Sequence, residues 1–246
     1  MIIFCFFSAF TAATLFSSER SKVLARSREE WLLDSLGLIM QGVAIPALQI
    51  VLSQKIYATL FPLLKGSLTI TAAPAFLLNF VAVDYVYYWN HRLLHHAVLW
   101  PVHLVHHGAL RFDFLMSSRN TAWSPFFIAY LWVNGFFIYV LRDSSAFILG
   151  AAITAGLDLW RHTCFGPKFG GFFYSILSPF LILPQDHAVH HGRDVCNVNY
   201  GANLNLWDRL HGTLRRVSED HPVVIGIPLR LSFTRQAFWP FSGGSK

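Results

Sequence analysis

The stretch HRLLHHAVLWPVHLVHH, His91–His107, decides the reading of this chain, because it holds six of the twelve histidines within seventeen residues. His91 and His95 are four apart, and so are His103 and His107, with His106 adjacent. On helices each set projects its imidazoles from one face. A third set, HAVHH, repeats the second set's spacing at His187, His190 and His191. HxxxH, HxxHH and HxxHH together supply eight imidazoles. That is more than one metal usually accepts and about right for two five- or six-coordinate ions. Zinc, copper and iron all take imidazole, so the residue types leave the metal open.

Outward from the histidines, the composition is that of a membrane protein. Of 246 residues, 54% are apolar and only 13% charged, against about 25% charged in a soluble domain. The formal charge of +6 is not gathered into any block dense enough to track phosphates, so no nucleic-acid partner is expected. Cys5, Cys164 and Cys196 are far apart and odd in number, which implies neither a disulfide framework nor a cysteine metal site. A reducing, cytosol-facing catalytic side follows.

Five apolar runs approach the roughly 20 residues a helix needs to cross a bilayer: 1–17, 36–54, 68–90, 125–141 and 145–156, the last two joined by Arg142, Asp143 and Ser144 as in a tight hairpin. A sixth run, 170–184, is short and interrupted by proline, and reads as a segment lying in the interface. Arg20, Lys22, Arg26 and Arg28 cluster between the first two runs, so that loop is taken as cytoplasmic. Counting spans onward brings His91, His162 and His187 to the same membrane face. The fold expected is an all-α integral membrane protein of four to five transmembrane helices with a histidine-rich di-metal site at its cytoplasmic face. With no repeat or linker, residues 1–246 form one domain with a motif-bearing core at about 84–213.

Metal-bound histidines usually donate their second N–H to a carboxylate or carbonyl. Asp84, seven residues before His91 on the same helical face, is the leading candidate for that role, followed by Asp186 and Asp208. Asn199 and Tyr200 either support the last histidine set or form a turn. His211 and His221, outside every set, read as structural or solvent-facing. The aromatic run YVYYW, 85–89, reads as interface belt and packing rather than a substrate cage. Arg92, Arg119 and Arg193 read equally well as attractors of anionic headgroups or as ordinary cytoplasmic-loop charges.

The chain resembles the fatty acid hydroxylase and sterol desaturase superfamily of membrane-bound di-metal oxygenases. The matching residues are DYVYYWNHRLLHH from Asp84, LWPVHLVHH from Leu99, HAVHH from His187, and VNYGANLNLWDRLHGT at Val198–Thr213. The resemblance implies a helical transmembrane stem, a cytosolic helical cap and a non-haem di-iron centre that uses O2 to hydroxylate or desaturate a C–H bond of a lipid or sterol-like substrate. It assigns His91, His95, His103, His106, His107, His187, His190 and His191 as ligands, with His96 and His162 as further candidates. One departure is SSRNTAWSP, where Arg119, Asn120 and Thr121 stand without the extra histidine that many relatives carry. No flavin, nicotinamide or haem-binding fingerprint is present, so electrons must come from a separate reductase, ferredoxin or cytochrome. The host membrane is a bacterial inner membrane or an endoplasmic reticulum. The competing classes are a metal-handling or transport membrane protein, for which ionisable groups would line a path at mid-membrane depth, and a zinc-dependent hydrolase with Asp186 as the nearest base.

Overall fold

The computed structural model of the chain describes residues 2–195, 197–216 and 223–238. It is all-helical, and among the described residues the only β-type contacts are three isolated bridges, Leu68 with Leu141, Leu181 with Leu204 and Gly192 with Ile225. His221 and Cys196 lie outside the described residues.

Helix α1, Ile2–Leu15, and the short α2, Glu19–Leu24, precede the longest element, α3, Arg28–Leu60. A reciprocal cap starts α3: Ser27 Oγ accepts from Glu30 N–H and the Glu30 carboxylate accepts from Ser27 N–H, which satisfies two donors the helix end cannot. At 33 residues and 1.5 Å per residue, α3 is about 50 Å long. Among the described residues it is the one helix both long and apolar enough to cross a membrane.

The other expected spans are shorter or more polar. Helix α4, residues 72–94, starts after the Leu68–Leu141 bridge and carries Asn79, Asp84, Asn90 and His91, all buried. Helix α5 is Trp100–His107. The expected span 125–141 is broken at Ile128 into α6, Ser124–Phe127, and α7, Ala129–Val140. The cause is Asn90, whose side chain donates to Phe127 O (2.8 Å) and accepts from Ala129 N–H (3.2 Å), taking over the backbone bonds a continuous helix would make. Helix α8, Ser145–Arg161, extends the expected span 145–156 toward the histidines. The run 170–184 yields only the six-residue α9, Phe172–Leu177, with Phe172 and Phe173 exposed. Helix α10, Pro184–His190, α11, Leu206–Leu210, and α12, Phe233–Phe238, complete the chain.

Packing turns these helices into a frame for the site. Phe6 of α1 lies against Gly156 of α8, where a Cβ would come within 2.4 Å of its ring. Tyr57 of α3 donates to Trp132 O and packs on Tyr139 of α7. Asn79 of α4 donates to Asn134 of α7 at 2.9 Å with both side chains buried, so the polar pair satisfies itself inside an apolar bundle. Of the four basic residues taken to mark a cytoplasmic loop, Arg26 is buried and ion-paired to Asp34 and Asp113. It holds the fold together rather than reporting orientation.

Candidate metal centre

The histidine spacing dictates which side chains can meet. His91 lies in the last turn of α4 and His95 ends that helix, so the following residue, His96, turns outward and is exposed. Pro101 opens α5, which carries His103, His106 and His107, all buried. Pro184 opens α10, and Asp186 accepts the Leu183 N–H at 3.2 Å, capping a helix that presents His187 and His190 and stops at His191. His162 stands just beyond the end of α8.

These residues gather into two groups whose ligand atoms lie within 4.8 Å of one another: His91, His95, His103, His107 and His190 in one, and His106, His162, His187 and His191 in the other. The HxxHH sets are divided between them. His106 and His107 are adjacent in sequence and belong to different groups, as do His190 and His191. His162 joins the second group, and His96 stands outside both.

The nitrogens point at each other rather than at protons. Nε2 of His91 and His103 are 3.0 Å apart, His162 and His187 3.0 Å, His187 and His191 3.2 Å, and His106 and His162 3.3 Å. Both ring nitrogens of His107 and Nε2 of His190 are buried without a hydrogen-bond partner. Orphaned buried polar atoms are costly, and convergent imidazole lone pairs are what a cation needs. Burial, reinforced by neighbouring imidazoles, pushes His106 down to about 3 and His103, His107, His187, His190 and His191 well below the ordinary histidine value. The rings are therefore neutral and free to ligate. Neither group contains a carboxylate, which suits zinc, copper or iron rather than the oxygen-seeking calcium or magnesium.

Backbone carbonyls orient the rings. His91 Nδ1–H donates to Tyr200 O (2.9 Å), His106 to Arg119 O (3.2 Å), His162 to Asp158 O (2.7 Å) and His190 to Val198 O (2.7 Å). In each case the proton is fixed on Nδ1 and the Nε2 lone pair is left for a metal.

The carboxylates expected beside the histidines act one step further out. Asp84 accepts from Asn203 N–H, Leu204 N–H and the Trp207 indole, at 2.8, 3.1 and 3.0 Å, and bonds no imidazole. Its seven-residue spacing from His91 does put it on the same face, but segment 203–207 lies there. Asp208 accepts from Tyr200 N–H and Gly201 N–H, so Asp84 and Asp208 together pin the loop whose carbonyls hold His91 and His190. Asn199, in the left-handed region at φ 53, donates to Asp186 O and Arg215 O and ties that loop to α10. Asp186 caps its helix and contacts no imidazole through its carboxylate. His211 stacks on Tyr88 and Tyr85, a packing role. Tyr87, assigned to packing from sequence, lines the cavity beside His91.

Sequence reasoning missed Asp158 and Arg119. The Asp158 carboxylate is 3.7 Å from His162 Nδ1 and bonded to Arg161 at 2.6 Å. Its position four residues before His162 on one helix is the signal that would have found it. Arg119, read as a loop charge, is buried, with its guanidinium on Asp34.

The described residues thus form an all-helical frame around two all-imidazole groups able to hold metal ions. The family model for fatty acid hydroxylase matches residues 76–213, which includes every histidine of both groups and the loop that orients them. The chain belongs to the fatty acid hydroxylase family. It is 30% identical over 154 residues to alkylglycerol monooxygenase of Xenopus tropicalis (61% of this chain, 32% of the relative) and 24% identical over 163 residues to that of Homo sapiens (63% and 35%). To ornithine lipid hydroxylase OlsE of Rhizobium tropici it is 28% identical over 179 residues (67% and 50%). The matches span about a third to a half of these relatives' length. No solved structure matches the chain.

Proposed function

We propose that the chain is an O2-dependent di-iron oxygenase that hydroxylates a C–H bond of a membrane lipid, desaturation being the other outcome open to the same chemistry. The observation that carries this reading is the pair of carboxylate-free imidazole groups opening onto one cavity, which His91 and His103 line from the first group and His106 and His162 from the second. Relatives named as a monooxygenase and a lipid hydroxylase support it.

The ligands assigned are His91, His95, His103, His107 and His190 for one iron and His106, His162, His187 and His191 for the other. When bound, the irons would relay the electrons that O2 cleavage requires and supply the electrophilic oxidant for the C–H bond. The balance is RH, O2, two electrons and two protons giving ROH and water. The chain's own part is to hold the Nδ1 protons on carbonyls, to keep the imidazoles neutral by burial, and to present one substrate carbon from the cavity beside them, since positioning at this scale selects the product. The electrons come from a separate reductase, ferredoxin or cytochrome.

Residues 1–246 act as one membrane domain. In this reading α3, α4, α7 and α8 form a transmembrane stem, and the histidine-bearing ends form a cap on the cytosolic side of a bacterial inner membrane or an endoplasmic reticulum. Transport is the weaker reading because both groups gather at helix ends. Zinc hydrolysis is weaker because the carboxylate of Asp186 caps its own helix and that of Asp158, nearer the histidines, is ion-paired with Arg161.

The test is Mössbauer spectroscopy on protein loaded with iron-57, together with metal stoichiometry and lipid product analysis. Two coupled irons per chain and a product gaining one oxygen are expected. Zinc alone under iron-replete conditions would overturn the proposal.

A further inference from the structure

Two adjoining cavities lead away from the imidazoles. The inner one, about 70 Å3, touches both histidine groups. The outer one, about 270 Å3, passes between helices by Ile3, Ile45, Pro46 and Leu131. Gln41, Tyr87, Ile128, Tyr130 and Asp158 line both, so the two form one path, and the stretch they share is its neck.

That neck is not built for a bare hydrocarbon. The rings of Tyr87 and Tyr130 lie 5.0 Å apart, and Tyr87 sits edge-on to His91 at 5.3 Å. Neither hydroxyl has a hydrogen-bond partner among the described residues, whereas the hydroxyls of Tyr57 and Tyr139, elsewhere in the bundle, are both bonded. Gln41, which lines both cavities, uses its amide N–H on Ser117 O at 3.0 Å, and its side-chain carbonyl has no partner among the described residues. A group of this kind left unpaired against an alkyl chain weakens binding by roughly tenfold.

The charge on the walls narrows the choice. Arg161 lines the outer cavity, but its charge is balanced by Asp158 at 2.6 Å and its other terminal nitrogen is held by the Ala202 carbonyl, which leaves only Nε without a partner. Asp84, also on that wall, is taken by Asn203, Leu204 and Trp207. Among the described lining residues no unpaired cation remains to receive a fatty acid carboxylate.

We infer that the substrate is a lipid with a neutral hydrogen-bonding group (hydroxyl, ether or amide) that lodges against Tyr87, Tyr130 and Gln41 while its chain runs out through the outer cavity. The inner cavity has room for only a few carbon-sized groups, so the carbon presented to the histidines lies within a few bonds of that polar group and not at mid-chain. The inference rests on the lipid-oxidation reading and adds the substrate class and three specificity residues.

The experiment is isothermal titration of the full metal-loaded chain in nanodiscs with three probes that share a sixteen-carbon chain: 1-monopalmitoylglycerol, palmitate and hexadecane. The monoacylglycerol is expected to bind at least about tenfold tighter than either other probe. Tyr87→Phe, Tyr130→Phe and Gln41→Leu should each erode that preference about five- to tenfold at unchanged metal content, and Tyr139→Phe should leave it intact. Equal binding of hexadecane or palmitate, or an unaltered preference in all three cavity variants, would overturn the inference. Product analysis separates the two claims. Preferential binding without oxidation under O2 and reductant keeps this inference and sinks the oxygenase reading, and oxidation without any preference does the reverse.

Discussion

The Asp34 carboxylate grips the Arg119 guanidinium through two hydrogen bonds, 2.6 Å to Nε and 3.0 Å to Nη2. Arg119 in turn accepts the His106 Nδ1–H on its own carbonyl. Asp34 also holds Arg26, which pairs with Asp113, and all four side chains are buried. Removing one member of a buried ion network leaves uncompensated charge and costs about 3–5 kcal/mol. Asp34→Ala should therefore lower the thermal unfolding midpoint by roughly 10 °C and speed metal loss from the His106 group ahead of the other. Scanning fluorimetry with timed chelation checks both, and a wild-type midpoint would show the network to be idle.

Because adjacent histidines serve different groups, single substitutions should empty the centres separately. His107→Ala is expected to remove metal from the first group and His191→Ala from the second, each leaving about half the wild-type content. His96→Ala, at an exposed position outside both groups, should leave both in place. Elemental analysis of the purified variants decides this, and metal loss in His96→Ala would redraw the site's boundary.

Gly201 sits where the orienting loop turns beneath Asp208. A Cβ there would meet Leu204 O at 2.6 Å and Asp208 Oδ2 at 2.8 Å. Gly201→Ala should cost about 1–3 kcal/mol and draw the Tyr200 carbonyl off His91, weakening metal retention in the first group most. Unfolding and chelation measurements on the purified variant would reveal it, and wild-type values in both would contradict the packing.

Metal-free protein should lose stability on acidification. Burial takes His106 from an ordinary 6.5 down to about 3, and five other ligand candidates are lowered in the same direction. Between those limits the unfolded chain binds protons that the folded chain refuses. Stability is therefore full above pH 6.5 and falls as pH drops from there toward 3. Thermal midpoints of the apo protein should decline steeply between about pH 7 and pH 5, and a flat profile would show the imidazoles to be accessible to solvent protons.

The histidine sets were legible because helical spacing is written directly in residue numbers. Their division was not. HxxHH says that three rings share a helix end, but the partition of His106 from His107 depends on where α8 and α10 cross, which no local pattern encodes. The orienting partners were illegible for a different reason. They are carbonyls of Tyr200, Val198, Arg119 and Asp158, and every residue has a carbonyl. Asp84 attracted attention as the nearest carboxylate in register with His91, and it does serve the site, but through the loop it pins. The broken helix at Ile128 escaped notice because Asn90, which breaks it, is 38 residues upstream in sequence. Likewise Arg26 and Arg119 looked like loop charges because their partner, Asp34, is brought to them only by folding.

The junctions at His106–His107 and His190–His191 carry one last consequence. Each is a single planar peptide unit with Cα atoms about 3.8 Å apart, and each has one ring in either nest. Two inextensible struts thus bridge the halves of the centre from opposite sides. Whatever draws a ligand inward at one nest shifts the backbone that carries a ligand of the other, so the two halves should respond in step.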